Sequence, residues 1–124
     1  MKGESQQITE LLADIVEWGR RADTYVTGLD FDGFVADTLK QDATIRCLEV
    51  IGEAAGRILK LDPGFQSSHP ALTLREAYRA RNRTAHGYGS VDLRSVWETA
   101  KVSAPRMVAA AEEALASGGR NDNP

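Results

Sequence analysis

Between positions 81 and 88 the chain reads Arg-Asn-Arg-Thr-Ala-His-Gly-Tyr, which gathers a guanidinium, an amide, an imidazole and a phenol within eight residues. An arginine forks two hydrogen bonds onto a phosphate, and histidine is the side chain whose ordinary pKa lets it take and return a proton near pH 7. The combination suits phosphate chemistry, with Arg81 holding an anion and His86 moving a proton. Arg75, Arg79 and Arg83 recur every four residues beside them, opposed in this stretch only by Glu76. In a chain of formal net charge −3, such a stripe is a local basic patch that attracts a phosphodiester and loosens as salt rises. The same residues also admit a structural reading, because basic side chains in a last helical turn complement the helix dipole and a glycine after a histidine stops a helix. Tyr88 by itself reads as a packing residue.

These groups need a helix to set them. At about 100° per residue, Asn82 and His86 fall within roughly 40° of each other on one face, so the amide can orient the imidazole. Arg81, five residues before His86, lies about 140° around the axis. The two converge only through the long arginine side chain, the helix end, or a second protomer. Thr73, with Glu76 three residues on, fits a capping box that starts this helix, and Gly87 fits the left-handed position just past its end at His86.

The rest of the chain also reads as helices. Ile8, Leu11, Leu12, Ile15 and Val16 recur at three-four spacing over residues 4–22, and Gly28 marks the break after them. A long second helix is expected from about Asp30–Asp32 to Lys60, with Cys47, Leu48, Ile51, Ala54, Ala55 and Ile58 in one stripe, ending at Asp62-Pro63-Gly64. Gly52 and Gly56 inside it each cost about 1 kcal/mol relative to alanine, which points to close approach by another helix of the chain or by another subunit. A last helix over about Asp92–Ala116 carries Leu93, Val96, Trp97, Ala100, Ala104, Met107, Val108, Ala111 and Leu115 at core spacing, and Pro105 should kink or split it. No period-two strand pattern or internal repeat competes. The expectation is an all-α, up-down bundle of four to five helices over residues 1–116, followed by a disordered tail over residues 117–124.

Length and composition narrow the function. A chain of 124 residues, 42% hydrophobic and 27% charged, is expected to form one domain, and its charge argues against coating a nucleic acid along the whole surface. Cys47 is the one cysteine and reads as a small buried hydrophobe. No apolar run is long enough to span a bilayer and the first residues lack a signal-peptide core, so a cytoplasmic protein is expected. The two histidines and one cysteine show no metal-ligand spacing, Ser67-Ser68-His69 has no separate acid to orient a nucleophile pair, and no glycine-rich phosphate loop follows a strand.

The Arg81–Tyr88 segment resembles the motif of HEPN-domain ribonucleases, specifically the HepT-like toxins of bacterial toxin–antitoxin pairs. The segment Asp42-Ala-Thr-Ile-Arg-Cys-Leu-Glu-Val-Ile-Gly-Glu-Ala54 is similar to the long helix preceding that motif, and Val91-Asp92 to Trp97 is similar to the family's segment on the other side of it. The likeness runs in order from Phe31 to Pro105. It implies a helical bundle that pairs into a homodimer, with the Arg and His motifs of two protomers facing one cleft, and a metal-independent endoribonuclease acting on an RNA such as tRNA or mRNA. By this resemblance His86 is the general acid/base, Arg81 holds the scissile phosphate, and Asn82 orients the imidazole or contacts the phosphate, with Arg75, Arg79 and Arg83 as further RNA-binding candidates. The nucleophile is the RNA's own 2′-hydroxyl, which calls for no cofactor and leaves a 2′,3′-cyclic phosphate. It also implies a partner, an MntA-like nucleotidyltransferase antitoxin that uses ATP to transfer AMP onto Tyr88. Two departures stand out. Gly87 occupies a position that is often acidic in the family, and Leu74–Ala80 lacks the tryptophan common there. The alternative reading is a non-catalytic helical binding partner, or substrate-recognition subunit, of a nucleotidyltransferase.

Overall fold

A computed structural model describes residues 2–86 and 91–120, with residues 84–86 and 119–120 described by their backbone alone. The described residues are helical, with no strand among them. The helices are α1 (Glu4–Val26), α2 (Phe31–Val35), α3 (Thr38–Leu61), α4 (Phe65–Ser68), α5 (Leu74–His86), α6 (Leu93–Glu98) and α7 (Ala104–Arg120). A 3₁₀ turn at Pro70–Leu72 leads into α5, and a π turn at Thr99–Ser103 joins α6 to α7. The all-α architecture expected from the periodicity is the one observed.

The bundle is organised around α1 and α3, which pack on each other; α7 lies against α1, and α5 packs chiefly against α3. Ile8, Leu11, Leu12 and Ile15 of α1 meet Ile51, Ala54, Ala55 and Ile58 of α3 and Met107, Ala111 and Ala114 of α7 in one core. A second core joins Ala22, Val26, Phe34, Cys47, Val96 and Ala100. Trp97 borders it and donates its indole N–H to the Leu29 carbonyl at 3.2 Å. The expected stripes are the buried ones because three-four spacing keeps those side chains on one face. Cys47 is fully buried, as a small hydrophobe would be, and that burial pushes its thiol pKa up, with the nearby Arg21 charge opposing.

Four local expectations change. The first helix continues to Val26 before Gly28 turns the chain at φ 77°. The second helix is broken into α2 and α3, because Asp37 caps a new start by accepting the Lys40 N–H at 3.0 Å. Gln41 Nε2 meanwhile donates to the Phe34 and Val35 carbonyls at the end of α2, at 2.9 and 2.8 Å. The capping box at Thr73 does not form. Thr73 sits in the left-handed region at φ 48° and spends its hydroxyl on the Leu72 carbonyl at 2.7 Å. Gln66 Oε1 takes its place and accepts the Leu74 N–H at 2.7 Å. The last helix continues to Arg120, past the expected end at Ala116, and residues 121–124 lie outside the described ones.

Pro105 splits the last helix as expected. The Ala104 N–H reaches back five residues to the Thr99 carbonyl, a π register, and this places Pro105 in the first turn of α7, where a missing N–H costs little.

Candidate active site

The arginine-rich helix α5 is held against α3 by two glycines. A Cβ built on Gly52 would lie 2.2 Å from Arg81 Cβ and 2.7 Å from the Ala77 carbonyl oxygen, and one on Gly56 would lie 2.4 Å from the Tyr78 ring. The close approach inferred from these glycines is therefore made within the chain, by α5. Helix backbones can come this near only where a side chain is missing.

That contact sets Arg81. Its side chain is about one-third exposed; the guanidinium pairs with Glu53 Oε1 at 3.0 Å, while Nη1 donates to Asn82 Oδ1 at 3.2 Å. Asn82 thus steadies the arginine through its oxygen, and its Nδ2 donors are what it has to offer a phosphate. Glu53 was not among the candidates read from the sequence. It lies 28 positions before Arg81, and only its neighbour Gly52 hinted at a helix crossing there.

Arg75, Arg79 and Arg83 are exposed on α5. Among the described residues none of the three forms an ion pair. Their positive charge therefore stands undiminished beside Arg81, where a polyanion would meet it.

His86 is the last described residue of α5, and the stop expected at Gly87 lies outside the described residues. One continuous helix from Leu74 to His86 keeps Asn82 and His86 on one face and Arg81 turned away, toward α3. The His86 side chain, Gly87 and Tyr88 lie outside the described residues. A cleft of about 150 Å³ opens between α5 and α6, where Arg81 and Arg83 face Ser95, Val96 and Thr99. Arg81 also borders a second cleft, with Arg46, Glu49, Val50 and Glu53 of α3. The guanidinium that would hold a phosphate thus sits at the junction of two surface depressions. Among the described residues no group of three or more His, Cys, Asp or Glu is placed to hold a metal ion, and no helix is long and apolar enough to cross a membrane.

An all-α bundle that displays an Arg–Asn pair on an arginine-rich helix, with a histidine four residues after the asparagine, is the arrangement expected of a HEPN-type protein. The chain belongs to the ribonuclease HepT-like family, whose model matches residues 6–114. It is 35% identical over 98 residues to "Probable ribonuclease HepT" of Thermococcus cleftensis, covering 79% of this chain and 86% of the relative. It is also 31% identical over 102 residues to "Putative RNase MJ1216" of Methanocaldococcus jannaschii, covering 82% of each. A second protein of that organism, "Putative RNase MJ0125", is 32% identical over 102 residues, covering 82% of this chain and 85% of the relative. No solved structure gave a significant match.

Proposed function

We propose that this chain is an RNA-cleaving enzyme, specifically a metal-independent endoribonuclease that uses the RNA's own 2′-hydroxyl as nucleophile. The observation that carries the reading is Arg81, fixed between Glu53 and Asn82 on an arginine-rich helix that is described as far as His86. Membership of the ribonuclease HepT-like family supports RNA as the substrate. In this reading His86 removes the proton from the 2′-hydroxyl or supplies one to the departing 5′-oxygen. Arg81 stabilises the charge that builds on the phosphorane oxygens. The 2′-oxygen bonds to phosphorus as the bond to the 5′-oxygen breaks, leaving a 2′,3′-cyclic phosphate and a 5′-hydroxyl. Arg75, Arg79 and Arg83 draw in the flanking phosphates.

Because positions 81 and 86 are set about 140° apart around one helix, the reading pairs two chains in a homodimer, so that one cleft receives both motifs. The protein is the toxin of a toxin–antitoxin pair, restrained by an MntA-like nucleotidyltransferase that spends ATP to place AMP on Tyr88. Phosphates two residues from His86 would fill the cleft and repel RNA.

Substrate chemistry tests the mechanism directly. An oligoribonucleotide cut at one bond should become inert when the single 2′-hydroxyl before that bond is replaced by hydrogen. Continued cleavage of the deoxy-substituted strand at the same bond would mean that water, and not the 2′-hydroxyl, is the nucleophile.

A further inference from the structure

We propose that the cleft between α5 and α6 is a base-reading subsite, which holds one nucleobase next to the phosphate gripped by Arg81 and favours bases that carry an exocyclic amine. The inference rests on the ribonuclease reading for the position of that phosphate. It adds a specificity determinant on α6, outside the arginine–histidine helix.

The cleft has the size and lining that a single base requires. Its volume of about 150 Å³ is several times the roughly 30 Å³ share of one water molecule and suits one planar ring system. Leu48 and Val96 give it an apolar floor, one half-buried and the other buried, and Arg83 stands on its rim. Single-stranded RNA is recognised on surfaces of this kind, where a guanidinium plane stacks on a base and polar groups meet its edge. Ser95 of α6 and Thr99 at the start of the π turn are four residues apart, so they stand one above the other on the same wall. Neither side-chain hydroxyl has a hydrogen-bond partner among the described residues. Each can donate or accept.

Asp92 gives the wall its preference. Its Oδ1 accepts the Ser95 N–H at 3.2 Å, which ties the start of α6 to the cleft. The second carboxylate oxygen remains an acceptor. It can receive the exocyclic amine of adenine, cytosine or guanine, whereas uracil offers it only the N3–H flanked by two carbonyl oxygens that a carboxylate repels; carboxylates select cytosine through N4 in a groove on the same ground.

The test uses fluorescence anisotropy with hexamers of adenylate, cytidylate and uridylate, on the His86→Ala protein so that nothing is cut during the measurement. Adenylate and cytidylate should bind about tenfold more tightly than uridylate, an ordinary margin for one well-made contact to a base edge. Asp92→Asn keeps a residue that caps helices well and adds a donor, so it should narrow or reverse the preference. Ser95→Leu fills the cleft and should bring all three hexamers to the uridylate level. Equal binding of the three by the parent protein, or a preference that neither variant moves, overturns the subsite. Cleavage of a mixed-sequence RNA by the protein with His86 intact is scored alongside. Cleavage without base preference overturns the subsite and leaves the ribonuclease standing. Base-selective binding without cleavage does the reverse, and no binding of any hexamer overturns the subsite, with the ribonuclease reading falling too only if the mixed-sequence RNA is also left uncut.

Discussion

Replacing Gly52 with alanine adds one methyl group at the point where α5 rests on α3, and two opposing effects follow. In an exposed helix the change stabilises by about 1 kcal/mol, because alanine loses less backbone freedom on folding. At Gly52 the new Cβ would lie 2.2 Å from Arg81 Cβ and 2.7 Å from the Ala77 carbonyl oxygen. Neither neighbour is the free end of a flexible side chain. Relief to an ordinary carbon–carbon separation of roughly 3.5–4.0 Å requires the helices to part by more than about 1 Å. Overpacking of this kind costs about 1–3 kcal/mol, so Gly52→Ala should be destabilising by up to about 2 kcal/mol once the helix-propensity gain of about 1 kcal/mol is deducted. The larger effect falls on catalysis, because the displaced atoms belong to Arg81. A shift near 1 Å in a positioning group lowers the rate by about 100-fold. Urea denaturation and initial rates of RNA cleavage give the two readouts. Gly118→Ala is the control, since a Cβ there meets nothing within 4 Å; it should hold or raise stability and leave the rate unchanged. If Gly52→Ala proves as stable as the parent or more so, and cleaves at the parent's rate, the argument that this glycine seats Arg81 is wrong.

Three further outcomes are expected. Changing Arg75, Arg79 and Arg83 to glutamine should raise KM with little change in kcat, and removing each arginine that grips a phosphate should flatten the slope of log affinity against log salt by about 0.7; an unchanged slope would remove these residues from the RNA path. Gln66→Ala strips the cap from the Leu74 N–H and should cost about 1 kcal/mol, seen as a lower urea midpoint at unchanged m-value. Cys47 should resist thiol reagents in the folded protein and react once unfolded. Because burial raises its pKa in the folded state, the stability linked to it is fully present below the unfolded thiol's pKa of about 8.5 and is lost as pH rises through the folded value. The alkaline fall in stability should therefore flatten in Cys47→Ala, as measured by denaturation at a series of pH values.

How much of this was legible in the sequence depended on how local the physics was. The core stripe from Cys47 to Ile58 follows from spacing alone. Pro105 announced a disruption, but whether a kink, a split or a π turn resulted depended on how the chain re-satisfied its carbonyls. The break before α3 was hidden because Asp37 and Thr38 lie in a run that a continuous helix also tolerates; Gln41 reaching back to the carbonyls of α2 settles it. Thr73 had the right type and spacing for a cap, yet Gln66 won the position through a bond across eight residues. At the site, Arg81 and Asn82 were legible from residue type. Gly52 and Gly56 signalled a close approach without naming its source, and the pairing of Arg81 with Glu53 exists only because α5 is the helix that lands there.

The most direct test of the central claim is a cleavage assay of total tRNA in excess chelator by the parent protein and its Arg81→Ala and His86→Ala variants, after intact mass has established that Tyr88 is unmodified. The account predicts fragments ending in 2′,3′-cyclic phosphate from the parent alone, with both variants slower by at least about 100-fold, as loss of a proton carrier or of a charge-stabilising donor requires. No cleavage by the parent, or cleavage that survives either substitution, would contradict it.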